Sequence, residues 1–388
     1  MTLQKTRLKK LFIVILIAAF LFKLSIFVFG ALRVPGSIFD PDSETYLLTA
    51  KTISAQGVFG VQEANGAISY EAFRTPGYPV FLAVVHQFLK IPLSGVIFIQ
   101  LLLTMLAGLI VYKIAVEIDY RAGILSMAIA LFDPPTSVYS LKIMTEALYI
   151  PVLFLFIYMF IRYLKSGKIK FIVFSAVPLI VATYVRPISY YLGAAAAMFM
   201  LYANIPQNLK KTALHALVLL AIVFSFLGIW QLRNYYRVKD SSFATIAKAN
   251  LQNYGLAAGV KKNNNLSVIS KSMDYLGAAS GSLINLMTLP GSLKYYNLKF
   301  FAKFGKVIFY AWMGFWLIGF LAGCAKIRQN IYYQFLLWVM LYFIAVIVIN
   351  ISSAAGERFR IPLVACIAVI SSSGWLMIRD FWAKRKNV

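Results

Sequence analysis

The sequence predicts an all-α polytopic membrane protein, one domain over residues 1–388 with about ten transmembrane helices. Three observations carry that prediction. Hydrophobic residues make up 61% of the chain and charged residues only 13%, with mean hydropathy +0.77, whereas a soluble domain is about half apolar and a quarter charged. Apolar runs long enough to cross a hydrocarbon core of roughly 30 Å recur from one end to the other. Alternate short links between them are basic, as cytoplasmic loops are.

The runs lie at 11–30, 93–115, 122–138, 145–161, 170–184, 188–203, 213–232, 305–323, 331–349 and 361–378. The first contains Lys23 but has neither the short core nor the small-residue cleavage site of a removable leader, so it reads as a retained helix. Placing Lys5, Arg7, Lys9 and Lys10 on the cytoplasmic side puts Arg121, the link from Arg162 to Lys170, Lys210, Lys211, Lys326, Arg328 and the tail from Lys384 on that side too. Both termini are then cytoplasmic. The outer face receives a first large loop, 31–92, a second, 233–304, and short turns at 139–145, 185–187 and 350–360. Within the second loop, "KKNNN" from Lys261 to Asn265 is the expected mobile stretch. "LPGSLKYYNLKFFAKF" from Leu289 alternates aromatic and basic residues and predicts an interfacial amphipathic helix, anchoring in character.

The net charge of +25 is spread along the whole chain with no nucleic-acid module, so membrane orientation and anionic lipid account for much of it and nucleic acid is not an expected partner. Cys324 and Cys366 lack metal-ligand spacing, and His86 and His215 fall on opposite faces, which excludes a histidine metal cluster. No P-loop or dinucleotide fingerprint occurs.

Only 13 residues are acidic, yet "FDPDSETY" places Asp40, Asp42 and Glu44 beside the first span. Asp40 before Pro41 predicts a helix start, with Asp40 as cap and Glu44 at the positive end of the dipole. If that helix runs through Lys51, Asp42 shares a face with Tyr46 and Ala50, a stripe suited to a cleft. An ionised carboxylate facing a cleft at the membrane surface is what deprotonation of a hydroxyl requires.

The segment resembles the first outer loop of the bacterial family C glycosyltransferases that use polyprenyl-phosphate sugars, the protein mannosyltransferase and aminoarabinose transferase superfamily. Asp42, Ser43 and Tyr46 match its Asp-Ser-x-x-Tyr pattern. "FRTPGYPVFLA" from Phe73 and "MTEALYIP" from Met144 resemble further motifs of that group, and "RPISYY" from Arg186, "RNYYRVKDSSF" from Arg233, "ANLQNYG" from Ala249 and "GERFRIP" from Gly356 follow in the same order. Together they cover residues 40–362.

The resemblance implies a fold with interfacial helices in the first loop, a location in the bacterial inner membrane, and transfer of a hexosyl or pentosyl group to an outer-face hydroxyl with Asp42 as general base. The leaving lipid phosphate needs cations. Arg74, Arg186, Arg358 and Arg360 all fall on the predicted outer face, and guanidinium suits bidentate phosphate contacts. Each has a structural alternative: an interfacial anchor for Arg74, snorkelling for Arg186, and an internal ion pair with Glu357 for the last two.

Tyr46, Tyr78, Glu146, Asn250 and Glu357 complete the candidates as substrate-binding residues. Glu146 either pairs structurally with a base or orients substrate, and the loop bearing Asn250 and Tyr254 is expected to cover the cleft. No cofactor is expected. Asp40, Asp42 and Glu146 are the carboxylates that would converge on a divalent ion, although arginines alone can serve a lipid monophosphate. Relatives often carry a soluble domain after the last span, and this chain stops at Val388, so the acceptor is expected to be a lipid-linked or cell-envelope glycan. The competing readings are a carrier transporter or flippase, which should place charges near the bilayer midplane, and a glycan polymerase or ligase.

Overall fold

The computed structural model describes residues 2–204, 208–256, 268–288, 299–352 and 355–386. Helix α1, Thr2–Ile26, runs on through a π-helical turn at Phe27–Leu32. The first large loop then forms α2, Ser43–Gln56, closed by Gly57 in the left-handed conformation at φ 68° that glycine adopts without strain. A hairpin follows, β1 Gly60–Gln62 and β2 Ile68–Tyr70, antiparallel with Gly60 opposite Tyr70. The loop ends in α3, Gly77–Leu82, extended by a π turn at Ala83–Phe88.

The bundle continues with α4 Leu93–Ile118, α5 Gly123–Leu131, α6 Pro134–Tyr139, α7 Glu146–Ser166, α8 Ile169–Val185, α9 Leu192–Asn204 and α10 Leu209–Val238. Helix α11, Thr245–Tyr254, and α12, Val268–Thr288, belong to the second loop. Then come α13 Lys299–Gly323, α14 Ile331–Ile351, a 3-10 segment Glu357–Leu363, and α15 Val364–Lys386.

Seven helices are long and apolar enough to cross a membrane, and three shorter apolar ones, Tyr120–Leu131, Ile169–Val185 and Pro187–Ala203, accompany them. These ten correspond in order to the ten runs read from the sequence. The last span, Glu357–Arg385, is mostly enclosed by the others, whereas the first lies on the periphery with most of its surface exposed. Helices α13 and α15 approach so closely that a Cβ on Gly374 would lie 1.8 Å from the Gly319 carbonyl oxygen, a contact only glycine permits.

Two sequence expectations are corrected, and one element was not expected. Beside its helices the first loop carries a hairpin closed by the Asn65-Gly66 turn, whose three-residue strands are too short to show an alternating pattern. Helix α2 starts at Ser43, not at Asp40 and Pro41, because the Asp40 carboxylate accepts from Lys142 at 2.8 Å instead of capping the helix. The third run is broken at residues 132–133, where Pro134 and Pro135 cannot continue α5 and Asp133 caps α6, its Oδ2 accepting from the Thr136 N–H at 3.0 Å. "KKNNN" and all but the end of the 289–304 segment lie outside the described residues.

Candidate active site

The first residue of the site is Asp42, at the N-cap of α2 with helical backbone and no side-chain cap bond. Its carboxylate is committed elsewhere: Oδ1 accepts from Arg74 Nη2 at 2.7 Å and Oδ2 from Arg358 Nη1 at 3.2 Å. Ser43 secures the helix start instead, accepting from the Asp40 N–H at 2.9 Å and donating to the Ile143 carbonyl at 2.9 Å. That last bond brings the turn between α6 and α7 against α2.

Arg74 reaches the site from the turn before α3. Thr75 donates to the Val185 carbonyl at 3.0 Å, and Gly77 lies against Tyr184 and Val185, where a Cβ would sit 2.8 Å from backbone atoms. The "RTPG" turn is thereby pressed onto the end of α8, beside Arg186. The Arg74 guanidinium is buried over the Tyr46 ring, 4.9 Å from its centroid.

Glu146, the first residue of α7, is 2% exposed and accepts through Oε1 from Arg186 Nη1 at 2.6 Å and from Arg358 Nε. The result is an alternating chain, Arg74, Asp42, Arg358, Glu146, Arg186, drawn from five distant parts of the sequence. Arg186 lies over the Tyr149 ring at 5.6 Å and Arg358 over Tyr139 at 5.9 Å. Burial raises the Asp42 carboxyl, but the neighbouring Arg358 and Arg74 outweigh it and hold the group below the usual aspartate value. Burial pushes the Tyr46 hydroxyl above the ordinary tyrosine value against the opposing pull of the same arginines.

These groups open onto a cleft of about 950 Å³. Asp42, Arg74, Arg186 and Arg358 line one part of it. Tyr342, Val346 and Asn350, one turn apart on a single face of α14, line another part, with Ile188 and Tyr191 also on the wall. Tyr342 lies midway along α14, so the cleft runs from the charged end of the bundle along that helix.

Among the residues singled out from sequence, Asp42, Tyr46, Arg74, Glu146, Arg186 and Arg358 meet in one network, and Glu357 and Asn250 line the same cleft. Tyr78 stands behind it, fully buried, donating to Gln100 Oε1 at 2.7 Å and edge-on to Tyr46. Arg360 does not line the cleft. It lies two residues from Arg358 on a 3-10 segment, where positions i and i+2 face different sides, and it points into the bundle toward Asp133 at 3.6 Å and the Met287 carbonyl at 3.3 Å.

The three carboxylates Asp40, Asp42 and Glu146 are each held by cationic side chains. Lys142 takes Asp40, and arginines take the other two. Among the described residues no group of three His, Cys, Asp or Glu side chains is arranged to hold a metal, and a carboxylate already paired with guanidinium groups is a poor ligand set for one. Sequence reading does not single out Lys142, Gln100 or Tyr342. Lys142 had a signal, a lysine in a short turn that the sequence reading assigns to the outer face, where basic residues are fewer.

Residues 74–230 match the family model described as dolichyl-phosphate-mannose-protein mannosyltransferase. No curated protein matches the sequence. Among solved structures, the oligosaccharyltransferase AglB from Archaeoglobus fulgidus, in complex with an inhibitory peptide and a dolichol-phosphate, superposes with TM-score 0.58 and 14% identity over 97% of this chain and 52% of its own. The apo form of the Archaeoglobus fulgidus oligosaccharyltransferase gives TM-score 0.58 and 16% identity over 97% of this chain and 52% of its own. ArnT from Cupriavidus metallidurans in the apo state gives TM-score 0.42 and 13% identity over 90% of this chain and 77% of its own, too loose a superposition to argue from. This chain spans about half the length of the archaeal enzyme, and what the two share is the fold, a multi-helix bundle.

Proposed function

We propose that the chain transfers a sugar from a polyprenyl-phosphate carrier to a hydroxyl of a lipid-linked or cell-envelope glycan at the outer face of the bacterial inner membrane, with both termini in the cytoplasm. The observation that carries this reading is the shared use of Arg358. Glu146, 2% exposed, holds it through Nε, while Asp42, with its side chain 29% exposed, holds it through Nη1. One partner is fixed in the bundle and the other faces the cleft.

A carrier phosphate entering the cleft competes with Asp42 for Arg358 and Arg74, because phosphate offers guanidinium the same paired oxygens as a carboxylate with no fewer acceptors. Arg74 Nε makes no hydrogen bond among the described residues, so one donor is still uncommitted. Glu146 keeps Arg358 and Arg186 in place during the exchange. The wall formed by Ile188, Tyr191, Tyr342 and Val346 offers the first units of the prenyl tail an apolar course into the membrane, and the archaeal structure of the same fold carries a dolichol-phosphate.

Released from Arg358, Asp42 regains basicity and accepts the acceptor's hydroxyl proton. The acceptor oxygen bonds to the anomeric carbon as the bond from that carbon to the phosphate oxygen breaks, and the electron pair leaves with the carrier phosphate against Arg74, Arg186 and Arg358. A single displacement of this kind inverts the anomeric centre. Asp42 is thus a weak base until donor is bound.

The test is to incubate purified protein with a panel of polyprenyl-phosphate sugars and follow release of carrier phosphate for wild type and Asp42→Asn. Turnover by wild type alone supports the reading. Equal turnover by both removes Asp42 from the base role, and carrier translocation in liposomes without turnover on any donor replaces the enzyme with a transporter.

A further inference from the structure

Among the described residues, Lys23 on α1, Asp133 at the start of α6 and Arg360 on the 3-10 segment are charged side chains outside the cleft that are almost fully buried within the bundle. Intramembrane charges are costly and call for a reason. Asp133 divides its oxygens between two tasks. Oδ2 caps α6 through the Thr136 N–H at 3.0 Å and its hydroxyl at 2.7 Å, and Oδ1 faces Arg360 Nη2 at 3.6 Å. Lys23 donates to Ser137 Oγ at 3.0 Å, which itself donates to the Asp133 carbonyl at 2.9 Å, so α1 grips the same short helix.

Both arms of Asp133 end at Arg358. Helix α6 finishes at Tyr139, whose ring lies under the Arg358 guanidinium at 5.9 Å. Arg360 shares the 3-10 segment with Arg358 and is clamped on its own side by the Met287 carbonyl and by the rings of Phe309 and Trp316, 5.3 and 5.5 Å from its guanidinium carbon. Two apolar side chains would fill this space at no greater cost in stability than a buried ion pair. What the pair adds is a fixed rotation of the segment. We propose that Asp133 and Arg360 are positioning residues that hold Arg358 on Asp42 and Glu146.

The proposal rests on the reading of the cleft above only for its catalytic consequence. The geometric part is tested without turnover, by carbodiimide labelling of Asp42 across pH, with exposed Glu63 as internal reference and mass spectrometry as readout. Asp42 is faced by Arg74 and Tyr46 from the first loop, Arg358 and Glu357 from the 3-10 segment, Glu146 from α7, and Tyr139 and the Asp40–Lys142 pair nearby.

An Asp133→Leu/Arg360→Met double variant, apolar and of similar volume, should release Arg358 and raise the pH at which Asp42 is labelled, in the same direction and to a similar extent as Arg358→Met. Arg360→Lys, which keeps the charge opposite Asp133, should keep most of the wild-type profile, and Arg360→Met alone serves as the measurement should the double variant not fold. In the transfer assay the double variant should lower kcat about 10-fold or more with a smaller change in KM, since Arg358 acts on the leaving phosphate. A folded double variant, or Arg360→Met alone, with wild-type labelling of Asp42 overturns the proposal. A shifted labelling profile with no turnover on any donor leaves the positioning role standing and removes the enzymatic reading.

Discussion

The two ends of the bundle use the same residue types to opposite effect. At the end away from the cleft, Lys165 pairs with Glu117 at 2.8 Å beside a cavity of about 530 Å³, and Arg121 pairs with Asp380 at 3.0 Å, all partly exposed. At the cleft end, Glu146, Arg74 and Arg186 are buried, and Asp42 and Glu146 each serve two guanidinium groups. Water screens the first set, and such pairs contribute little to stability. Water reaches the second set only along the cleft, so every charge there depends on its neighbours and any incoming anion must bargain with a network already formed. The lesson is that exposure, more than the count of ion pairs, separates a surface clasp from a reactive site.

The contrast can be broken in four places. Asp42→Asn should lower transfer by about 10²- to 10⁴-fold, the usual worth of a general base, while carrier-phosphate binding is kept or tightened because two arginines are freed. Loss of both binding and turnover would mean that Asp42 serves the architecture rather than the proton. Glu146→Gln removes the fixed partner of Arg358 and Arg186, and breaking such a buried pair costs about 3 to 5 kcal/mol, so the unfolding midpoint in detergent should drop clearly. An unchanged midpoint would show that the arginines find other partners.

The third concerns pH. The folded Asp42 carboxyl lies below its unfolded value, so the stability from its pairs is fully present above about pH 4 and is lost as pH falls through the lowered folded value. Donor binding draws Arg358 away, so the acid limb of kcat should lie at higher pH than the protonation of Asp42 in the free protein. Coincident limbs would speak against exchange at Arg358. Last and smallest, Lys165→Ala at the opposite end should alter neither transfer nor the unfolding midpoint measurably, and a loss of transfer would show that the two ends are coupled.

The ten apolar runs were legible because crossing a membrane demands length and apolarity, both visible in one dimension. The acidic segment was legible because 13 acids in 388 residues make a cluster conspicuous. What stayed hidden depends on partners far along the chain. Asp40 has the local chemistry of a helix cap, but Lys142, 102 residues away, claims it. Arg358 and Arg360 are indistinguishable in "ERFR", and only the 3-10 twist and the position of Asp133 send one to the cleft and the other into the bundle.

The most direct test is a structure of the protein with undecaprenyl phosphate bound. Exchange at Arg358 predicts phosphate oxygens within hydrogen-bond reach of Arg74 and Arg358, Glu146 still on Arg358, and Asp42 turned free into the cleft. Phosphate bound elsewhere, with Asp42 still paired to Arg358, would contradict it.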